Sequence, residues 1–190
     1  MKAKEFLKEL GLDDFYLDSE GRACVNGSVI LTNMQLKTLP IAFGIVTGDF
    51  NISDNYLTTL TGCPKIVGGI FDCSSNRLKS LVDGPLEVGN SYYCYMNKLS
   101  TLLGSPRYID GNFIAAYNQL ASLEGCPEDI YGLFDVSSNP IMNFAFYPIS
   151  SMAGFYCDNV SSLSDFKAMT IIIDNNDKNK IRKVDNYKII

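Results

Sequence analysis

Six cysteines carry the most varied chemistry in this sequence of 190 residues, because a thiolate can bind a metal ion, attack an electrophile or form a disulfide. Histidine, the commonest general base and metal ligand, is absent. No pair of cysteines has the C-x-x-C spacing that is typical of zinc sites. We therefore expect structural thiols, no bound metal, no cofactor and no enzymatic activity.

A second candidate for chemistry lies near the C-terminus, where Asp174, Asn176 and Lys178 have the spacing of the first ligands of a calcium loop. Asp185 stands at the twelfth position of that loop. A lysine at the third ligand position and the missing central glycine argue against calcium binding. The segment therefore indicates a solvated turn.

Five of the cysteines belong to a repeat with a period of 21 residues, namely Cys63, Cys73, Cys94, Cys126 and Cys157. The period is seen in columns of asparagine, proline and leucine: Asn55, Asn76, Asn97, Asn118 and Asn139; Pro64, Pro85, Pro106, Pro127 and Pro148; Leu57, Leu78, Leu99, Leu120 and Ile141. Two columns precede each asparagine: Phe50, Phe71, Tyr92, Phe113, Phe134 and Phe155; Ile52, Cys73, Cys94, Ala115, Val136 and Cys157. Because these two columns lie two residues apart, we expect both to face the core from one side of a strand.

This pattern resembles the leucine-rich-repeat family, whose motif is L-x-x-L-x-L-x-x-N-x-L, and it is similar to the short repeats of bacterial and large-tailed-phage proteins. The resemblance implies an α/β solenoid, mostly β, wound as a right-handed coil with a parallel sheet on its concave side. Aromatic residues replace the first leucine of the strand. We expect the asparagine column to bond backbone groups where each strand turns away, since such groups cost about 1–3 kcal/mol each when buried unpaired.

The ends of the stack need caps, because a terminal coil exposes its core. We expect residues 1–24 to form an N-terminal cap, with a helix over 2–10 followed by a hairpin over 15–25. The 21-residue repeats cover 25–159. Residues 160–190 are expected to form a C-terminal cap that contains a last irregular repeat.

Strand alternation predicts which residues point away from the core. These outward positions contain no Lys or Arg, although the chain has 16 such residues. Tyrosine, which suits an interface, is frequent among them. We expect a partner-binding site with an aromatic centre and acidic flanks, formed by Tyr93, Tyr95, Met96, Ile114, Tyr117, Ile70, Tyr131, Leu133 and Tyr156 with Asp49, Asp72, Asp135 and Asp158.

The charge and composition of the chain limit the kinds of partner that we expect it to bind. The net charge of −5 argues against nucleic acid as a partner, and the N-terminal residues lack the apolar stretch of a signal peptide. We expect a cytoplasmic protein that does not bind membranes and that binds a protein with a basic patch. Similarity to phage repeats suggests an inhibitor of a host defence or regulatory factor in the host cytoplasm. A self-assembling structural protein and an acidic decoy of nucleic acid stay open as alternatives.

Overall fold

The chain folds as a β-solenoid of about six turns, each about 21 residues long. The computed structural model describes residues 3–142, 146–148 and 152–157. Asp158 and the predicted C-terminal cap lie outside these residues. Within these residues, each turn before the last contributes two short strands, so two parallel ladders of strands run along the solenoid.

The first ladder is joined to an N-terminal hairpin and is interrupted once. The strands of the hairpin and the first ladder are β1 (Phe15–Leu17), β2 (Ala23–Val25), β4 (Phe43–Val46), β6 (Ile66–Val67), β8 (Glu87–Val88), β10 (Tyr108–Ile109) and β12 (Asp129–Ile130). Strands β1, β2, β4, β6 and β8 form one sheet, and β10 pairs only with β12. The sequence predicted one sheet. The first ladder is additional to that sheet.

The second ladder is continuous and matches the predicted strand of the repeat. Its strands are β3 (Val29–Ile30), β5 (Phe50–Asn51), β7 (Phe71–Asp72), β9 (Tyr92–Tyr93), β11 (Phe113–Ile114), β13 (Leu133–Asp135) and β14 (Gly154–Tyr156). Neighbouring strands pair in parallel at an offset of one repeat, as Phe50 with Phe71 and Phe71 with Tyr92. A bend separates the two ladders in each turn. A Cβ on Gly69, in that bend, would overlap Oδ1 of Asp49 and approach the backbone of Gly48 closely, so this position favours glycine.

The core is built from the predicted inward columns. All six aromatic residues from Phe50 to Phe155 are buried, and successive rings lie 4.8–6.1 Å apart, centroid to centroid. The second inward column is buried from Ile52 to Val136, while Cys157 is partly buried. The leucine columns that follow the asparagines are also buried. The prediction that these columns face the core is therefore confirmed.

The asparagine column satisfies backbone groups inside the stack, as predicted. Asn76 donates from Nδ2 to the carbonyl of Ile52, one coil earlier, at 3.0 Å, and its Oδ1 accepts from the amide of Leu57 at 2.9 Å. Asn97, Asn118 and Asn139 repeat both contacts. Each asparagine thus joins two coils, and we call this column the asparagine ladder.

The N-terminal elements also follow the sequence pattern. Helix α1 (Ala3–Glu9) packs Phe6 and Leu7 into the core of the solenoid. Strands β1 and β2 form an antiparallel hairpin, and β2 pairs on its other side with β4. In the part of the chain that the structure describes, no helix has the length and apolarity needed to span a bilayer.

Candidate protein-binding surface

The centre of the predicted site is a column of outward side chains on the second ladder. Strand pairing places Asp72, Tyr93, Ile114, Asp135 and Tyr156 on successive rungs in that order. Adjacent rungs of a sheet are about 4.8 Å apart, so these side chains form a continuous stripe. Tyr156 is exposed and the other four are half-buried. We call this stripe, together with Met96 and Tyr117, the second-ladder face.

Met96 and Tyr117 lie where the chain leaves the second ladder, and their backbone is left-handed. Their φ angles are 54° and 55°. The equivalent residues of other turns have the same conformation, and they are Asn33, Asp54, Ser75 and Ser138. Asparagine and aspartate tolerate this conformation far better than bulky residues do. Met96 is 54% exposed and Tyr117 is 62% exposed, so two strained residues hold large apolar groups in solvent.

The acidic residues of the predicted site are engaged in local hydrogen bonds. Asp72 accepts from the amide and the hydroxyl of Ser74 at 2.9 and 2.6 Å, and Asp135 accepts from Ser137 in the same way. Burial raises the pKa of Asp72, while the bonds from Ser74 oppose that shift. Their first role is therefore to close the end of the strand.

The remaining predicted residues lie beside the stripe. Asp49, Ile70 and Leu133 share the column at the entry to the second ladder, where Asp49 accepts from the amide of Ile70 at 2.7 Å. Tyr131 is exposed and lies in the bend that joins the two ladders.

Tyr95 is half-buried in a column that the sequence predicted to be open. That prediction is wrong for Ser53, Ser74 and Ala116, which are buried in this column. The chain turns there toward the asparagine ladder, and Asn55 and Asn76 donate from Nδ2 to the carbonyls of Ser53 and Ser74. Tyr95 therefore contributes only part of its surface to the second-ladder face.

The thiols and one hydroxyl lie inside the stack. Cys24, Cys63, Cys73, Cys94 and Cys126 are free thiols, and the first four of them are buried. Burial raises the pKa of the Cys73 and Cys94 thiols, and it raises that of Cys126 to about 12. Such thiols are poor nucleophiles. The described residues contain no cluster of three or more Cys, Asp or Glu side chains that could hold a metal ion.

Tyr92 is the one tyrosine in the inward aromatic column. Its hydroxyl is buried without a well-formed hydrogen bond among the described residues. Burial raises its pKa, with the nearby thiols of Cys73 and Cys94 adding to the shift. The nearby thiols are weak hydrogen-bond partners, so the hydroxyl marks a local cost in stability.

Sequence reasoning missed a second exposed surface, on the first ladder. Ile66, Leu86 and Tyr108 are 37%, 67% and 49% exposed there. The available signal was the recurrence of Ile45, Ile66 and Tyr108 directly before the buried residues Val46, Val67 and Ile109. It was obscured because Glu87 and Asp129 occupy the same column in other turns.

Comparison with known proteins leaves the family unassigned. No protein-family model matches the sequence, and a search of curated proteins finds no significant match.

Proposed function

We propose that the chain is a protein-binding module and that the second-ladder face holds the partner. The stripe from Asp72 to Tyr156 presents Tyr93, Ile114 and Tyr156 together with two aspartates at the spacing of a sheet. Protein interfaces are enriched in tyrosine and methionine and depleted in lysine. The face contains Tyr93, Tyr117 and Met96 and no lysine.

The observation that carries this proposal is the left-handed backbone at Met96 and Tyr117. A bulky residue in this conformation costs about 1–2 kcal/mol. Neither side chain recovers that cost by burial in the core, because both are more than half exposed. Strain that is retained at an exposed position points to function. The other turns place small polar residues at this position, so the exception is confined to the middle of the face.

The proposal includes the finer identity of the fold. The asparagine ladder and the recurring leucines support a leucine-rich repeat, wound right-handed with the second ladder on its concave side. The burial of Phe6 and Leu7 against the first turn supports an N-terminal cap. A partner with a basic patch would meet Asp72 and Asp135 at the rim, where charge sets orientation and association rate more than affinity. Inhibition of a host factor in the cytoplasm by a phage-encoded chain is one form of this function.

The experiment is a capture assay with matched variants. The parent protein, a Tyr93→Ala/Tyr117→Ala double variant and a Thr59→Ala control are immobilised and exposed to lysate of the cells in which the chain is expressed naturally. Thr59 is exposed on the segment between Leu57 and Leu60, away from the second ladder. We expect a protein retained by the parent and by the control to be lost from the double variant. Buried aromatic anchors contribute about 2 kcal/mol or more each on truncation.

Other outcomes of this assay identify the alternatives. A self-assembling protein would show a concentration-dependent large oligomer in light scattering and would capture itself. An acidic decoy of nucleic acid would capture nucleic-acid-binding proteins with steep salt dependence and would be insensitive to loss of the tyrosines. Retention by the double variant with loss by the Thr59 control would place the interface elsewhere.

A further inference from the structure

The first ladder is split between strands β8 and β10. In the turn before the split, the amide of Gly89 donates to the carbonyl of Val67 at 2.9 Å. The equivalent bond, from the amide of Asp110 to the carbonyl of Val88, is not formed among the described residues, and β8 and β10 belong to different sheets. The second ladder is intact at the same level, where β9 pairs with β11. The two coils therefore keep their ladder hydrogen bonds on one side and lack them between β8 and β10 on the other.

A groove lies at this split. Its walls are the apolar side chains of Ile66, Leu86 and Tyr108, and its charged lining residues are Glu87 and Asp110. The groove has a volume of about 280 Å³. That is slightly below the roughly 300–1,000 Å³ of pockets for drug-sized ligands, so it suits one side chain better than a larger molecule.

The width of the split excludes an inserted strand. Adding a strand between β8 and β10 would require two strand spacings, about 9.6 Å. Cα atoms of β8 and β10 come within 8 Å of each other. The occupant must therefore be a side chain that enters from the surface.

The groups that line the groove favour the binding of a cation. The carboxylates of Glu87 and Asp110 form no ion pair within the described residues, and the carbonyls of Leu86 and Val88 are left without the donors that their counterparts have in adjoining turns. The site is thus rich in acceptors. An arginine side chain supplies five N–H donors and no acceptor, and its guanidinium stacks on aromatic rings.

Tyr108 already shows this stacking within the chain. The guanidinium of Arg107 lies over its ring, 5.1 Å from the centroid. Arg107 itself is held by Glu128 at 2.7 Å, so it is directed to the neighbouring turn. The chain's own arginine thus leaves the carboxylates of Glu87 and Asp110 without a cationic partner.

We propose that this groove, which we call the split-ladder groove, binds an arginine side chain of a partner protein. The guanidinium bonds the freed carbonyls and the carboxylates of Glu87 and Asp110, and its stem packs on Leu86 and Tyr108. The site lies on the first ladder, and it can exist whether or not the second-ladder face binds protein.

The test is a titration of the isotope-labelled full chain with N-acetyl-arginine amide, followed by amide NMR shifts. N-acetyl-citrulline amide, which has the same shape without the charge, is the matched control. We expect saturable shifts centred on residues 86–89 and 108–110 with the arginine compound only. A Glu87→Gln/Asp110→Asn variant should bind about tenfold more weakly, since it loses two charged acceptors. Both side chains are exposed, so the variant should remain folded.

A second variant separates this site from general attraction to acidic surface. Glu124→Gln removes an exposed carboxylate outside the groove. It should leave the titration unchanged. The proposal is overturned if the arginine compound produces no shift at the groove, if citrulline produces the same shifts, or if Glu124→Gln weakens binding as much as the double variant.

Discussion

Replacing Asn97 tests how the asparagine ladder stabilises the stack. Its Nδ2 donates to the carbonyls of Cys73, Cys94 and Tyr95 at 3.0, 3.2 and 3.3 Å, and its Oδ1 accepts from the amide of Leu78 at 2.9 Å. Alanine removes all four contacts. The contacts differ in what their loss costs in stability, because some of the partner groups keep a second hydrogen bond.

The magnitude follows from which groups lose their last partner. The carbonyl of Cys73 also accepts from Asn76, and that of Cys94 also accepts from Asn118. The amide of Leu78, a buried residue, has no such second partner among the described contacts. The cost of Asn97→Ala is therefore mainly one unpaired buried donor, about 1–3 kcal/mol. For a chain of this size, that lowers the melting temperature by about 2–12 °C.

The Asn97→Asp variant shows whether the Asn97 side chain stabilises the stack through its hydrogen bonds or through its shape, because aspartate has nearly the same shape. Aspartate keeps the oxygen that accepts from the amide of Leu78, but its second oxygen faces three carbonyl oxygens. A protonated carboxyl can donate to a carbonyl, whereas a carboxylate is repelled by it, so the protonated form is favoured. The pKa of the introduced carboxyl in the folded state is therefore raised above the unfolded value of about 3.9. The stabilising protonated form is fully present below that unfolded pKa and is lost as pH rises through the folded pKa. The variant should therefore be less stable than Asn97→Ala at pH 7 and should recover toward pH 4.

Thermal melts followed by circular dichroism at pH 7 and pH 4 measure both effects. Asn90→Asp is the control, because the side chain of Asn90 is exposed and, among the described contacts, accepts only from the neighbouring Ser91 hydroxyl. It should show no comparable pH dependence. Equal melting of Asn97→Ala and the parent, or an Asn97→Asp profile that follows the control, would refute the reasoning.

Three further predictions concern stability and reactivity. Tyr92→Phe should raise the free energy of unfolding by about 1 kcal/mol, because it removes a buried hydroxyl that lacks a good partner; a loss of 1 kcal/mol in chemical denaturation would contradict this. Native protein should react with a thiol reagent faster at Cys126, which is partly buried, than at Cys94, which is fully buried, with all thiols reacting once unfolded; mass mapping gives the order. Met96→Asn and Tyr117→Asn should melt no lower than the parent, because relief of about 1–2 kcal/mol of backbone strain offsets the lost contacts of a side chain that is mostly exposed. A fall of more than 5 °C for either variant would show that the left-handed conformation is not strained.

The sequence was sufficient to predict the core, because the period brings the same residue types to the same place in every turn. Phe50 and Phe71 are equivalent by spacing alone, and the buried role of Asn76 follows from its unbroken column. The second-ladder strands were predicted for the same reason. Periodicity shows which residues are equivalent, so a column that faces the core does so in every turn.

Features that depend on backbone geometry were not predicted. The left-handed conformation at Met96 and Tyr117 contradicts the preferences of those two residues, although Asn33 and Asp54 in the same column carried the signal. The split beside Val88 depends on how two coils separate, and no residue type encodes that directly. The burial of Ser74 depends on the tight turn that follows it.

Site-specific photo-crosslinking tests the proposed binding function most directly. A benzophenone amino acid replaces Tyr117 in one protein and Thr59 in another, and each is irradiated in lysate of the cells that naturally express the chain. We predict one discrete adduct with a protein from position 117 and none from position 59. An adduct from position 59 alone, or the absence of any protein adduct from position 117, would contradict the assignment of the second-ladder face as the binding surface.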